Sequence, residues 1–164
     1  MRFVHEATLA LPPAEAFEQL RRFAQIYPEL HPAHQPHPPG QAPGLLRAGY
    51  RFSLSERFGL EQRRYRFEVE AYEPENGYMR LFARTRTSWG PAVVRSTLML
   101  EFSLHPDPAG ARLVIAQRVS LGHAWLDAAL DRPWLWTSVA AHAEAECRAA
   151  VALLSGPVED LTMP

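Results

Sequence analysis

Apolar residues recur along this chain in two rhythms, every second position through the middle and every third or fourth position near the ends. Phe3, His5, Ala7 and Leu9 alternate with Val4, Glu6 and Thr8, which predicts a strand over residues 2–10. Pro12-Pro13 stop it. Phe17, Leu20, Phe23 and Ala24 then fall at helical spacing, so Ala14–Ala24 reads as a helix, with proline tolerated at its start. From Leu46 to Leu121 the period is two, in runs near 46–58, 62–72, 78–88, 93–104 and 111–121. The breaks carry turn formers: Phe58-Gly59-Leu60, Pro74-Glu75-Asn76-Gly77, Trp89-Gly90-Pro91 and Pro106 to Gly110. Short breaks between alternating runs predict an antiparallel meander with one solvated face. Its inward positions are Tyr65, Phe67, Val69; Met79, Leu81, Ala83; Val94, Leu98, Leu100, Phe102; and Leu113, Ile115, Val119.

After Gly122 a short amphipathic piece (Trp125, Leu126, Ala129, Leu130) leads to a long helix near 132–154. Asp131 is its expected N-cap, Pro133 lies in the first turn, and Ser155-Gly156-Pro157 stop it. Such a helix spans roughly 35 Å at about 1.5 Å per residue, enough to cross a sheet. Residues 157–164 read as a loose tail, and the whole of 1–164 as one domain. Between Tyr27 and Gly44, six prolines exclude a regular helix or a central strand, and His31, His34 and His37 sit among them. A long ordered loop of this kind is often functional.

Three ionisable residues break the patterns. In Tyr50 to Phe58 the even positions are Tyr50, Phe52, Leu54, Glu56 and Phe58, so Glu56 shares a strand face with four large apolar residues. In the last helix Leu135, Val139, His142, Glu146, Ala149 and Leu153 form one stripe, with a histidine and a carboxylate one turn apart. A buried carboxylate costs several kcal/mol unless it is paired, protonated or metal-bound. His142 and Glu146 at i,i+4 can ligate one ion, Glu56 can reach it from the sheet, and a loop histidine, His31 ahead of His34, can close the shell. Two histidines with one or two carboxylates suit Zn²⁺, with Mn²⁺ or Fe²⁺ as alternatives. Without metal, the same residues form a structural polar network, and Glu56 is a base whose pKa burial would raise.

Composition narrows the classes. The chain is 47% hydrophobic and 21% charged with net charge −1, which fits a globular domain and argues against a nucleic-acid binder. All seventeen basic residues are arginine. Arg64, Arg66, Arg80, Arg84 and Arg86 are expected on the sheet's solvated outer face. No run approaches the roughly 18 continuous apolar residues of a membrane span. The opening residues alternate as a strand where a signal segment would be basic then apolar, so a cytoplasmic location is expected. Lone Cys147 lies on the helix's apolar side, as a buried, inert thiol. The pattern leaves the oligomeric state open.

Strand, short helix, antiparallel meander and long C-terminal helix resemble the helix-grip fold of START domains, polyketide cyclases and the birch-pollen allergen family, and "HEATLALPPAEAFEQLRRF" looks like that superfamily's opening. The resemblance implies an α+β fold with a curved sheet wrapped around the last helix and an internal cavity for a small apolar molecule. Tyr50, Phe52, Leu54, Phe67, Leu81, Leu98 and Val139 would line it, with His34 nearby. "LHPAHQ" (His31, His34), "SERFG" (Glu56) and "HAEAEC" (His142, Glu146) further resemble the metal-dependent hydrolases related to diacetylphloroglucinol hydrolase. Ala145 departs from that motif, standing where the family has a first glutamate. This implies metal-assisted hydrolysis of an apolar, aromatic or polyketide-like substrate, with Glu56 and His142 catalytic. The alternatives are a non-enzymatic carrier or sensor of a hydrophobic ligand, and a metal-free cyclase-like acid/base enzyme.

Overall fold

Among the described residues, seven antiparallel strands, β1 (Arg2–Leu9), β2 (His34–His37), β3 (Arg51–Phe58), β4 (Glu61–Glu73), β5 (Tyr78–Trp89), β6 (Ala92–Asp107) and β7 (Gly110–Ser120), form one sheet in the order β1-β7-β6-β5-β4-β3-β2. In this computed structural model the residues described are 2–30, 34–37, 44–58, 61–89, 92–123, 127–128 and 137–155. Strand β1 (Arg2–Leu9) forms one edge against β7 (Gly110–Ser120). Strands β3 (Arg51–Phe58), β4 (Glu61–Glu73), β5 (Tyr78–Trp89) and β6 (Ala92–Asp107) follow as the predicted meander. Its first run starts later than expected, because Tyr50 N–H closes a turn on the Arg47 carbonyl at 3.0 Å. The β4–β5 turn needs its glycine: Gly77 has φ +61, and a Cβ there would lie 2.6 Å from the Leu104 carbonyl oxygen. The β4–β5 register shifts between Val69 and Ala71, an irregularity of the kind that bends a strand.

The single N-terminal helix expected over Ala14–Ala24 is two helices, α1 (Pro13–Leu20) and α2 (Phe23–Leu30). The break lies at Arg21, whose carbonyl is taken by the Leu46 N–H at 2.8 Å, while Gln25 N–H bonds Arg22 instead. Helix α2 also runs through Pro28, into the stretch expected to be irregular. A proline there removes one donor from a two-turn helix, and burial of Phe23, Ala24, Tyr27 and Leu30 holds the helix in place. Beyond it, His34–His37 forms β2, a four-residue strand at the other edge, where a proline is tolerated.

The last helix, α3, is described over Thr137–Ser155; its expected start at Asp131 and the tail 157–164 lie outside the described residues. It packs against β1, α1 and α2. Its buried line is Ala143, Cys147, Ala150 and Leu154, rotated from the predicted stripe. Leu153 is 39% exposed, and His142 and Glu146 flank the buried line. Phe23 on Phe102 (4.9 Å) and Phe52 on Phe67 (5.0 Å) tie helices and strands into one core. Among the described residues, no helix is long and apolar enough to cross a membrane.

Candidate metal centre

Three separate elements bring four ionisable side chains together. Glu56 follows Leu54 along the inward face of β3 and is 6% exposed. Register places His34 of β2 directly opposite it, 4% exposed. From α3, His142 and Glu146 reach the same point. His34 Nε2 lies 2.7 Å from Glu146 Oε1, and His142 Nε2 lies 3.0 Å from both Glu146 Oε1 and Glu56 Oε1. One potential ligand atom from each of the four lies within 4.8 Å of every other. Donors about 2.0–2.1 Å from a tetrahedral ion stand about 3.3 Å apart, so the cluster has the dimensions of a coordination shell.

The surroundings orient these donors. His34 Nδ1–H donates to the Tyr27 carbonyl at 3.0 Å, which leaves Nε2 facing the carboxylates. That carbonyl lies in the last turn of α2, where backbone acceptors run out of intrahelical donors. The Tyr27 ring also stacks on His34 at 4.3 Å and 10°. A histidine fixed through its second nitrogen in this way is typical of metal ligands. The Tyr65 hydroxyl donates to Glu56 from β4, where Tyr65 is paired with Leu54.

Charge in the cluster is mutually compensated. Burial pushes the Glu56 carboxyl up, but hydrogen bonds from His142 and Tyr65 prevail, and its pKa falls below the usual range. This corrects the expectation that burial would raise it. Burial likewise opposes ionisation of Glu146, yet His142 and His34 bring it down to about 2. Glu146 and then Glu56 raise His142 to about 10. Burial, followed by the charge of Glu56, lifts the Tyr65 phenol well above its ordinary value.

Solved structures with the same architecture include Ara h 8.0201, 14% identical, with 95% of this chain and 99% of that one aligned at a TM-score of 0.61. TTHA0849 from Thermus thermophilus is 16% identical over 94% and 97% of the two chains, TM-score 0.60. Major latex-like protein 151 from Panax ginseng is 9% identical over 93% and 95%, TM-score 0.59. The chain has the helix-grip fold. No protein-family model matches it, and no curated protein does. The structural likenesses speak for the helix-grip fold alone, so the case for a metal rests on the donors themselves.

Within this helix-grip frame, His34 occupies the place expected first for His31, which lies outside the described residues. Position favours His34: β2 pairs it with Glu56. Of the expected cavity lining, Phe52, Leu54, Phe67 and Leu81 are packed in the core, and Tyr50 is half-buried, with its hydroxyl accepting the Gly44 N–H at 2.6 Å. The Val139 side chain lies outside the described residues. Leu98 does line a pocket, of about 20 Å³, together with Phe23, Tyr27, Phe102, Ile115 and Cys147, and Glu146 closes one side of it. That is room for about one water. Cys147 is buried, and burial pushes its thiol up to about 11, as an inert cysteine requires. Tyr65 is an expected inward residue, but the pattern alone does not show its part in the cluster, nor that of Tyr27. For Tyr65 the signal is a buried hydroxyl needing a partner, which the pairing of β4 with β3 supplies in Glu56; Tyr27 acts through its carbonyl and ring, which carry no sequence signal.

Proposed function

We propose that this protein binds a small, largely apolar molecule, aromatic or polyketide-like, beside a divalent metal held by His34, Glu56, His142 and Glu146, and acts on it by hydrolysis. The observation that carries this reading is the convergence of two imidazoles and two carboxylates, from two strands and a helix, within 4.8 Å. A donor set of nitrogen and oxygen without thiolate suits Zn²⁺, Mn²⁺ or Fe²⁺. When bound, such an ion supplies Lewis acidity toward a carbonyl oxygen and toward water. The chain's own groups do the rest. Tyr27 holds His34 in one tautomer, and Tyr65 holds the Glu56 carboxylate. The apolar walls around Leu98 and Phe102 set an apolar ligand beside Glu146. Ligand pockets commonly reach about 300–1,000 Å³, so binding on this reading widens the space between α2, α3 and the sheet.

Elemental analysis of protein purified without an affinity tag tests the metal. About one equivalent per chain is expected, falling below a tenth in His142→Ala while the circular dichroism of the fold persists. Wild-type protein that stays metal-free after dialysis against Zn²⁺ and Mn²⁺ would overturn the proposal.

One observation favours a second reading. His142, raised to about 10 between two carboxylates, compensates buried negative charge without an ion. The cluster is then a polar anchor in a non-enzymatic carrier or sensor of an apolar ligand. On that reading an apolar fluorescent probe binds equally with and without chelator, and His142→Ala alters probe affinity with no metal to lose.

A further inference from the structure

A second concentration of charge lies on the outer face of the sheet, away from the His/Glu cluster. Strands β4, β5 and β6 expose Arg64, Arg66, Arg84, Arg86 and Arg95. They line a groove of about 740 Å³ together with Thr97 and the buried Thr85 and Ser96. The strand register sets Arg66 directly opposite Arg84, and Arg86 directly opposite Arg95. Like charges directly opposed across a strand pair are destabilising, so two such pairs side by side form a site where a bound anion would relieve repulsion.

Several arginines elsewhere on the surface are matched, Arg51 with Glu68, Arg80 with Glu70 and Arg112 with Glu6, and one further opposed pair, Arg2 with Arg118, stands alone at the β1–β7 edge. Among the described residues, none of the five groove arginines forms an ion pair. Glu68 stands at the margin close enough to feel Arg84, but its carboxylate is held by Arg51 at 2.9 Å. The Arg84 guanidinium lies 5.4 Å from the centre of the Phe82 ring, a cation–π contact that steadies it on the sheet.

Neighbouring strands lie about 4.8 Å apart and same-face residues about 7 Å apart along a strand. The guanidinium groups are therefore spaced for linked phosphoryl groups, whose oxygens accept paired N–H donors. We propose that this groove binds a small anion carrying two or more linked phosphoryl groups, bridging the Arg66/Arg84 and Arg86/Arg95 pairs. A compact patch in a chain of net charge −1 favours such a ligand over a nucleic acid or a lipid surface, each of which needs a longer basic track.

Titration calorimetry of the full chain with inorganic tripolyphosphate at 50 mM NaCl tests this. Micromolar binding is expected, at least about tenfold tighter than orthophosphate and weakened severalfold at 200 mM NaCl by screening. Arg84→Gln/Arg86→Gln should weaken tripolyphosphate at least tenfold while the ligand-free melting temperature holds or rises, since opposed charges are removed. Arg66→Gln/Arg95→Gln, which breaks the same pairs from the other strands, should do the same. The proposal is overturned by absence of tripolyphosphate binding, by equal affinity for orthophosphate, or by unchanged affinity in both double variants. It is also overturned if phosphatidylserine vesicles or a single-stranded oligonucleotide bind these arginines more tightly than tripolyphosphate.

Discussion

The two faces of one sheet treat charge in opposite ways. Inside, Glu56, Glu146, His34 and His142 are clustered so that each carboxylate meets an imidazole within 3.0 Å. Outside, five arginines share a groove and two pairs of them face each other directly. Solvent explains why the outer arrangement survives: exposed charges are screened within about 10 Å at 0.1 M salt, whereas buried ones are not. Compensation is thus compulsory on the inner face and optional on the outer one. Where it is compulsory, removing one partner should be severe; where it is optional, removing one should pass almost unnoticed.

The largest effect is expected at Glu146, which serves both histidines. Glu146→Ala removes one carboxylate from the His142 imidazolium and the 2.7 Å carboxylate contact of His34 Nε2. Breaking a buried pair in this way destabilises by about 3–5 kcal/mol, read from urea unfolding of metal-free protein. A loss below about 1 kcal/mol would mean that the cluster is solvated in solution and the contrast between the faces false.

pH should move the inner face by an amount on the order of 2 kcal/mol. His142 is raised from 6.5 to about 10, so its contribution is full below pH 6.5 and lost as pH climbs toward 10. Glu146 is lowered from 4.5 to about 2, so its contribution is full above pH 4.5 and lost as pH falls toward 2. Metal-free protein should therefore be most stable between about pH 4.5 and 6.5. Bound metal inverts the alkaline limb, because coordination requires the neutral imidazole and metal uptake releases its proton. Denaturation series from pH 4 to 9, with chelator and with Zn²⁺, should cross. Parallel curves would leave His142 outside the coordination shell.

A smaller effect concerns the apolar wall beside the cluster. Ala150 is buried and borders the pocket of about 20 Å³. Ala150→Phe fills that space and should cost about 1–3 kcal/mol through overpacking. It should also weaken an apolar probe at least tenfold while metal content stays at the wild-type level. Probe affinity unchanged by the substitution would place ligand binding elsewhere.

The contrast also marks what a sequence can disclose. Period two in 62–72, 78–88 and 111–121 located β4, β5 and β7, because each strand has one wet face. Glu56 stood out by the same rule, as a charge in register with Phe52 and Leu54. The choice between His31 and His34 was hidden, since it depends on β2 pairing His34 with Glu56 across the sheet edge. Helix α2 was hidden too: Pro28 argues locally against it, and burial of Phe23, Tyr27 and Leu30 prevails only once the sheet is present. The α3 stripe is rotated from the apolar pattern because small residues occupy its buried line. Ala143 and Ala150 face inward where bulk is excluded, while Leu153 turns to solvent.

The smallest effect belongs to the outer face, and it matters because it is expected to be nearly nothing. Arg51 and Glu68 form a well-made ion pair at 2.9 Å, shorter than the 3.0 Å contacts around His142. Distance alone would rank it as the stronger interaction. Its side chains, however, are 75% and 42% exposed, against 19% and 7% for His142 and Glu56. Water competes for both exposed partners, salt screens them, and holding two long side chains in one geometry sacrifices their rotamer freedom. Arg51→Gln should therefore leave the urea midpoint within experimental error at 50 mM and at 500 mM NaCl. A clear loss at low salt that disappears at high salt would show that surface pairs on this sheet do contribute. The opposed arginines of the neighbouring groove would then be a measurable burden on the ligand-free fold, and their substitution by glutamine should raise its melting temperature.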